Sequence, residues 1–508
     1  MARKSETPQE VELKLEIEPS DLETVLAHPL LQAGTGNEPQ KQDLHSTYFD
    51  TPDHALKQAG LSLRIRHNGT QRIQTVKAAQ AQNGVALTRG EWEHKVDGDK
   101  PDFSAAEKTA LKPFVQLQDR IGPVFSVTAE RTLREIPFGL SVIEVAVDRG
   151  TVDGQALPLP FGELELELKQ GSPADLFGLA RTLAMAAPLR LSFKTKAERG
   201  FETISRVVPN RVKAEPVTLK RRMTSAQAFQ SIGASCLRHL MANEALVRQA
   251  PEADTVHQMR VALRRLRAAI TLFKHVVADG RRDPIKAELK WMANVLGVAR
   301  DLDVYIQKVL EPAQAQHQDD KSYTALLAYY RKRRKQAYRM VQETIASGRF
   351  VNGILEVAAW VQAGDWLQDR SKPARQRRKQ PVVALAEQEL GRRWKRILKR
   401  GKHLAKLEPE ERHQVRIEIK KLRYATEFFE NLFKGGGAKK RRRAALKTLE
   451  TMQETLGGLN DIAVGFEMNS SPAAVAIHEE QMARVDGLLA AAKKQYRDFA
   501  ALQPFWSV

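Results

Sequence analysis

Several short stretches alternate charged and apolar residues so that the charges share one face. Glu10, Glu12, Lys14 and Glu16 alternate with Val11, Leu13, Leu15 and Ile17, and Arg64 and Arg66 flank Ile65. Glu144 and Asp148 lie on one face against Ile143, Val145 and Val147. Glu163, Glu165, Glu167 and Lys169 stand against Leu164, Leu166 and Leu168. A period of two is that of a β-strand. Carboxylate oxygens suit hard divalent cations, and arginine and lysine suit phosphate. Two arrangements are open. An antiparallel sheet can turn the charged faces to solvent. A closed barrel can turn them inward, so that acidic and basic rungs share a water-filled lumen fit for metal ions and phosphate together.

A second pattern has helical spacing. His257, Arg260, Arg264 and Arg267 fall on one helix face, and His413, Arg416, Lys420 and Arg423 repeat the arrangement. A solvated face is the ordinary reason for a charge run. A basic stripe made twice, each time headed by histidine, also suits a groove for a linear chain of phosphates, since histidine can bond phosphate oxygens in either charge state. Metal binding by the two histidines is the weaker reading, because no carboxylate accompanies them at ligand spacing on the same helix. Asp301, Asp303, Asn460 and Asp461 are expected to orient the arginines or cap helices.

These residues sit in two differently patterned halves. Up to about residue 170 the period is two, broken by Gly, Pro and Asp turns, and a helix is expected near 173–187. A basic, proline-containing linker spans 204–222, and from Ser225 onward the period is helical. The helical half repeats itself. His257-Gln-Met-Arg-Val-Ala-Leu-Arg matches His413-Gln-Val-Arg-Ile-Glu-Ile-Lys, and Leu296-Gly-Val-Ala-Arg-Asp matches Leu456-Gly-Gly-Leu-Asn-Asp. The repeat is far longer than a solenoid unit and predicts two similar helical bundles. A chain of 508 residues exceeds one hydrophobic core. The net charge is +20, yet carboxylates outnumber basic side chains in residues 1–200, so the whole excess lies beyond them and calls for a polyanionic partner. A single cysteine, Cys236, excludes an internal disulfide framework. No apolar run is long enough to span a bilayer, and the N-terminal residues lack the pattern of a signal peptide. A reducing cytoplasm is the expected compartment.

Glu10-Val-Glu-Leu-Lys14 resembles the E-x-E-x-K signature of the CYTH superfamily, the triphosphate tunnel metalloenzymes. Tyr48-Phe-Asp-Thr-Pro52, Leu61-Ser-Leu-Arg-Ile-Arg66, Val76-Lys77, Ile143-Glu-Val-Ala-Val-Asp148, Glu163-Leu-Glu-Leu-Glu167 and Lys194-Thr-Lys-Ala-Glu-Arg-Gly200 resemble its other landmarks, in order. Thr195 stands where that family more often has serine, and Lys194 competes with Lys196 for the phosphate-binding role. The repeated half resembles the CHAD domain, and the fusion is similar to bacterial inorganic triphosphatases. The resemblance implies an α+β multidomain chain. A closed antiparallel barrel, or tunnel, with flanking helices would occupy 1–203, and an all-α domain of two pseudo-repeated bundles would occupy 223–508.

The same resemblance implies metal-dependent hydrolysis of inorganic triphosphate, with Mg²⁺ or Mn²⁺ as cofactor. Glu10, Glu12, Glu163 and Glu165 would be metal ligands, with Glu144 and Asp148 ranked second and Glu167 at the barrel rim. Glu10, Glu12 and Lys14 would carry catalysis. Arg64, Arg66, Lys77, Arg131 and Lys196 would join Lys14 in gripping the phosphates. The two helical stripes would bind polyphosphate. The alternatives are a nucleic-acid-associated protein with an RNA 5′-triphosphatase or inactive barrel, and the other CYTH activities, thiamine triphosphatase and adenylate cyclase. Nucleic acid is not favoured, since aromatics make up only 6% and no helix-turn-helix, zinc-finger or RNP-type signature is present.

Overall fold

The computed structural model describes residues 11–32, 38–69, 71–78, 84–85, 90–154, 158–204, 211–464 and 471–506. Two compact units divide the chain. The first comprises residues 1–210 with 346–364, and the second comprises 211–345 with 365–508.

Among the described residues the alternating segments of the first unit form nine strands. They are β1 (Glu12–Ile17), β2 (Gln40–Asp50), β3 (Leu61–Asn68), β4 (Gln71–Ala78), β5 (Gly90–Lys95), β6 (Gly122–Phe138), β7 (Ser141–Asp153), β8 (Leu159–Gln170) and β9 (Arg190–Ser192). All pair antiparallel in one sheet, ordered β5-β4-β3-β2-β6-β7-β8-β1-β9. Among the described residues no ladder joins β5 to β9. The sheet is nevertheless curled, because charged residues of β5 and Thr195 and Lys196 just after β9 line one cavity.

The apolar faces point away from that cavity. The unit's own helices are α1 (Leu22–Leu26), α2 (Pro29–Gln32), α3 (Ala55–Gln58), α4 (Pro173–Leu183) and α5 (Lys196–Ile204). Leu13 and Leu15 of β1 and Leu164 and Leu166 of β8 are fully buried, and α4 packs on both strands. Leu63 and Ile65 of β3 and Val76 of β4 bury against Leu56 of α3, Ala106 and Leu111. Each such side chain contributes about 1.5–3 kcal/mol of burial. That gain is what turns the charged faces to the inside.

The later helices are α6 (Ser225–Gln249), α7 (Ala253–Leu272), α8 (Arg282–Tyr305), α9 (Glu311–Gln316), α10 (Lys321–Ala346), α11 (Gly348–Ala363), α12 (Lys372–Lys379), α13 (Val382–Arg400), α14 (Pro409–Phe428), α15 (Ala438–Val464), α16 (Pro472–Ala483) and α17 (Val485–Ala500). Of these, α11 belongs to the first unit, although it lies within the region read from sequence as the helical domain. It packs on α4 and β9 and buries Phe350, Val351, Ile354, Leu355, Val357, Trp360 and Val361, and its Gln362 side chain accepts from the Val85 N–H at 3.0 Å. A helix this apolar needs a partner face, and α4 supplies one.

In the second unit the sequence repeat is a structural one. Helices α6, α7 and α8 pack in succession, as do α13, α14 and α15, and α7 packs against α14. Both stripe helices open with a glutamate-headed capping box, Glu252 with Thr255 and Glu408 with Glu411. Both end at a buried phenylalanine, Phe273 and Phe429, whose rings meet with centroids 6.1 Å apart.

Candidate functional site

Strand register builds the first site. Lys14 lies opposite Glu165, Glu16 opposite Glu163, Glu163 opposite Asp148, and Asp148 opposite Arg131. Their side chains meet in a cavity of about 210 Å³ lined by Glu12, Lys14, Tyr48, Arg64, Arg66, Lys77, Glu91, Glu93, Arg131, Glu144, Glu165, Glu167 and Lys196, among others. The inward-facing arrangement is therefore the one adopted. Glu163 does not line the cavity; it is fully buried beneath it.

The cations are already held. The Lys196 ammonium lies 2.9 Å from Asp148, 2.5 Å from Glu163 and 2.8 Å from Glu165. Lys14 contacts Glu12 at 2.7 Å and also reaches Glu165 and Glu163. Arg131 grips Asp148 with two hydrogen bonds of 2.7 Å and Glu165 with a third of 2.7 Å. Burial alone would lower the pKa of Lys14 and Lys196, yet the carboxylates raise both above the ordinary value. Burial would raise Glu165, but Lys14, Lys196 and Arg131 hold it well below the usual carboxylate range.

The opposite wall is less compensated. Arg66 is pushed down to about 10, first by Arg64 and then by burial. Lys77 pairs with Glu91 at 2.7 Å. Tyr48 stacks on Phe125 with centroids 4.7 Å apart and reaches Arg64 with its hydroxyl at 3.5 Å.

Glu10 lies outside the described residues. Of the other expected metal ligands, Glu163 and Glu165 join Asp148, and one oxygen from each of the three lies within 4.8 Å of the others. Glu12 is not in that group, and Asp148, ranked lower from sequence, is. The residues fit a hard divalent cation. All three donors are carboxylates, and Glu163 Oε2 is buried without a hydrogen-bond partner. Glu144 and Glu167 share Lys169 at 3.1 and 3.0 Å. Two motif residues prove to be supports. Asp50 accepts from the backbone N–H groups of Thr51, Leu56 and Lys57, and so fixes the turn into α3. Arg199 lies 3.2 Å from Glu16 and 3.7 Å from Glu163. Lys194 pairs with Glu202 at 2.8 Å, leaving Lys196 as the cavity lysine.

In the second unit the stripes of α7 and α14 converge. Arg260 and Arg264 act electrostatically on Arg416 and Lys420, and Asp301 of α8 and Asp461 of α15 supply opposing negative charge. Burial, then Arg264, Arg416 and Arg260, push Lys420 down to about 7. Burial, then Arg300, Arg264, Arg260 and Arg211, push His257 down to about 4, so it is neutral near pH 7. His413 Nδ1 shares a hydrogen bond with Asn460 Oδ1. Arg267 is lowered by burial and by Arg264, whereas Arg423 bonds Glu427 at 3.2 Å and Gln453 at 3.3 Å. Arg260 lies 3.5 Å from Asp301, as expected of an orienting carboxylate. Asp303 does something else: it is buried and accepts from Arg334 at 2.6 Å and Tyr338 at 2.8 Å.

A family model of the CYTH domain matches residues 8–201, and one of the CHAD domain matches residues 231–468. The chain carries a CYTH domain followed by a CHAD domain. It is 34% identical over 197 residues to an inorganic triphosphatase of Haemophilus influenzae, covering 38% of this chain and 54% of that protein. The chain thus spans about half the length of that curated relative. The CHAD domain of the plant Ricinus communis is a similar solved structure, at 26% identity and TM-score 0.50, covering 58% of this chain and 97% of that one. A putative adenylate cyclase from Bacillus halodurans matches at 16% identity and TM-score 0.28, over 38% of this chain and 97% of that one.

The signals in the CYTH domain were local and readable. The alternation exposed its charged faces, but only the cross-strand register brings Asp148 beside Glu163. In the CHAD domain, periodicity exposed the stripes, and helix packing brought them together. No helix among the described residues is long and apolar enough to cross a membrane.

Proposed function

We propose that the CYTH domain hydrolyses inorganic triphosphate to pyrophosphate and phosphate, assisted by Mg²⁺ or Mn²⁺, and that the CHAD domain binds inorganic polyphosphate. The observation that carries the first part is the single cavity in which Lys14, Arg64, Arg66, Lys77, Arg131 and Lys196 face a cluster of carboxylates. Water attacks a terminal phosphorus, the P–O–P bond opens and pyrophosphate leaves. Such a reaction depends mainly on positioning and charge neutralisation. Asp148, Glu163 and Glu165 would hold the cation, which supplies positive charge against the phosphate oxygens. Arg64 and Arg66 grip phosphate from β3, while Lys14, Arg131 and Lys196 tie the phosphate grip to the carboxylates.

An inorganic substrate is favoured over a nucleotide or thiamine compound by the lining itself. Among the described lining residues Tyr48 is the only aromatic, and Phe125 already covers one of its faces. The relative named inorganic triphosphatase supports the same reading. Convergence of Arg260, Arg264, Arg416 and Lys420 supports polyphosphate binding by the CHAD domain, and a cytoplasmic site of action accords with both substrates.

The test is a substrate panel on the full chain with Mg²⁺ or Mn²⁺. It comprises tripolyphosphate, ATP, thiamine triphosphate, long-chain polyphosphate and RNA bearing a 5′-triphosphate. Tripolyphosphate is expected to give the highest kcat/KM. A higher value for ATP, thiamine triphosphate or the RNA overturns the assignment.

A further inference from the structure

The second repeated marker, Leu296-Gly-Val-Ala-Arg-Asp301 and Leu456-Gly-Gly-Leu-Asn-Asp461, has no part in the proposal above. Its glycines lie well inside α8 and α15, where glycine is a poor helix residue and a repeated one needs a reason. The surroundings supply one. A Cβ on Gly297 would stand 2.2 Å from Nη1 of Arg260, and a Cβ on Gly457 would stand 3.2 Å from Nη2 of Arg416. Arg260 and Arg416 occupy the same place in the two stripes. In each copy an aspartate follows the glycine by four residues and so shares its helix face. Arg260 lies 3.5 Å from Asp301, and Asp461 acts on Arg416 more strongly than Asp301 does.

We infer that Gly297 and Gly457 are positioning residues for polyphosphate, each making with Asp301 or Asp461 a seat that holds one stripe arginine at the bottom of the groove. The inference rests on the polyphosphate reading of the CHAD domain. The glycine leaves room for the guanidinium to lie against the neighbouring helix, and the aspartate one turn on directs it. The two seats converge, since Asp301 and Asp461 act on each other electrostatically. Two seated guanidiniums thus present a fixed spacing of donors to successive phosphates of one chain, where free arginines would lose side-chain entropy on binding. The neighbour each Cβ would meet is the far end of a flexible side chain and not backbone. Alanine therefore displaces the arginine and leaves the helices as they are.

The experiment measures binding of long-chain sodium polyphosphate by the full-length protein, together with Tm. The variants are Gly297→Ala, Gly457→Ala and, as control, Gly458→Ala, whose Cβ would meet only Leu488 at an ordinary 3.5 Å. Gly297→Ala is expected to weaken binding roughly three- to tenfold, as for one misplaced charge-assisted contact. The effect of Gly457→Ala should be smaller, because its clearance is larger, and Gly458→Ala should change nothing. Tm should stay level or rise for all three, since alanine favours helix. In an Arg260→Ala background Gly297→Ala should have no further effect. If the wild type binds polyphosphate but Gly297→Ala binds it equally well, the seat is wrong. A fall in Tm with Gly297→Ala, or an equal loss with Gly458→Ala, makes these packing glycines and also overturns it. A wild type that does not bind polyphosphate fails the polyphosphate reading itself, and the seats fall with it.

Discussion

Both candidate sites gather cations, and they treat them in opposite ways. In the CYTH cavity Lys14, Lys196 and Arg131 touch Asp148, Glu163 and Glu165, and the carboxylates raise the pKa of all three cations. In the CHAD stripes Arg260, Arg416 and Lys420 are lowered, first by burial and then by neighbouring stripe cations, and Asp301 and Asp461 offset this only in part. A compensated cluster can admit a highly charged anion only if something else engages its carboxylates. A divalent cation does that, so the cavity is suited to substrate and metal together. A partly compensated cluster keeps net positive potential for the ligand, and a polyanion relieves the remaining repulsion directly. Catalysis and binding should therefore differ in their need for metal and in their response to charge.

The largest expected effect separates the sites by metal and carboxylate. Glu165→Gln breaks the contact shared by Lys14, Lys196 and Arg131 and should lower kcat/KM for tripolyphosphate by about 10²–10³-fold, as loss of a preorganised charge does. Stripping metal with a chelator should remove hydrolysis as well. Polyphosphate binding should survive both changes, and if it is lost in parallel the two sites are not independent.

A smaller effect contrasts groove with surface. Replacing Arg260, Arg264 and Arg267 together by alanine should weaken polyphosphate binding about 10²-fold at low salt, through lost phosphate contacts. Replacing Lys332, Arg333 and Lys335 removes the same formal charge and should cost only a few-fold; Arg334 is left in place because it bonds buried Asp303. Equal losses in a binding titration would mean that net charge alone attracts the polymer.

The smallest effect is a pH slope. Burial, then Arg264 of α7, Arg416 of its own helix and Arg260 of α7, push Lys420 down to about 7 against the opposing pull of Asp461 of α15. Below that pH the amine is already charged, and its protonation does not change on binding. Above it, a bound polyanion must draw in a proton, so affinity falls as pH rises, by about tenfold in all, as for one charge-assisted contact. Lys420→Arg keeps its charge and should flatten the slope. A wild-type affinity constant from pH 7 to pH 9 would remove Lys420 from the groove.

Sequence periodicity by itself determined much of this protein. Alternation set which residues of β1, β3, β7 and β8 share a face, because a strand offers only two. Helical spacing set the stripes for the same reason, and the repeated markers showed that the stripe was made twice. Inward orientation was left open by the pattern, since alternation does not say which face is inside. Burial of Leu13, Leu63, Leu164 and their neighbours under helices decided it. Tertiary structure alone decided the rest. Register placed Asp148 beside Glu163, and the start of α5 carried Lys196 onto both. Helix α11 joined the first unit because its apolar surface found α4, so a fragment ending near residue 205 lacks part of that core. The role of Gly297 was written as a repeated Leu-Gly with aspartate four residues on. Its meaning depends on an arginine far away in sequence, and only the packing of α7 on α8 brings that side chain to the glycine.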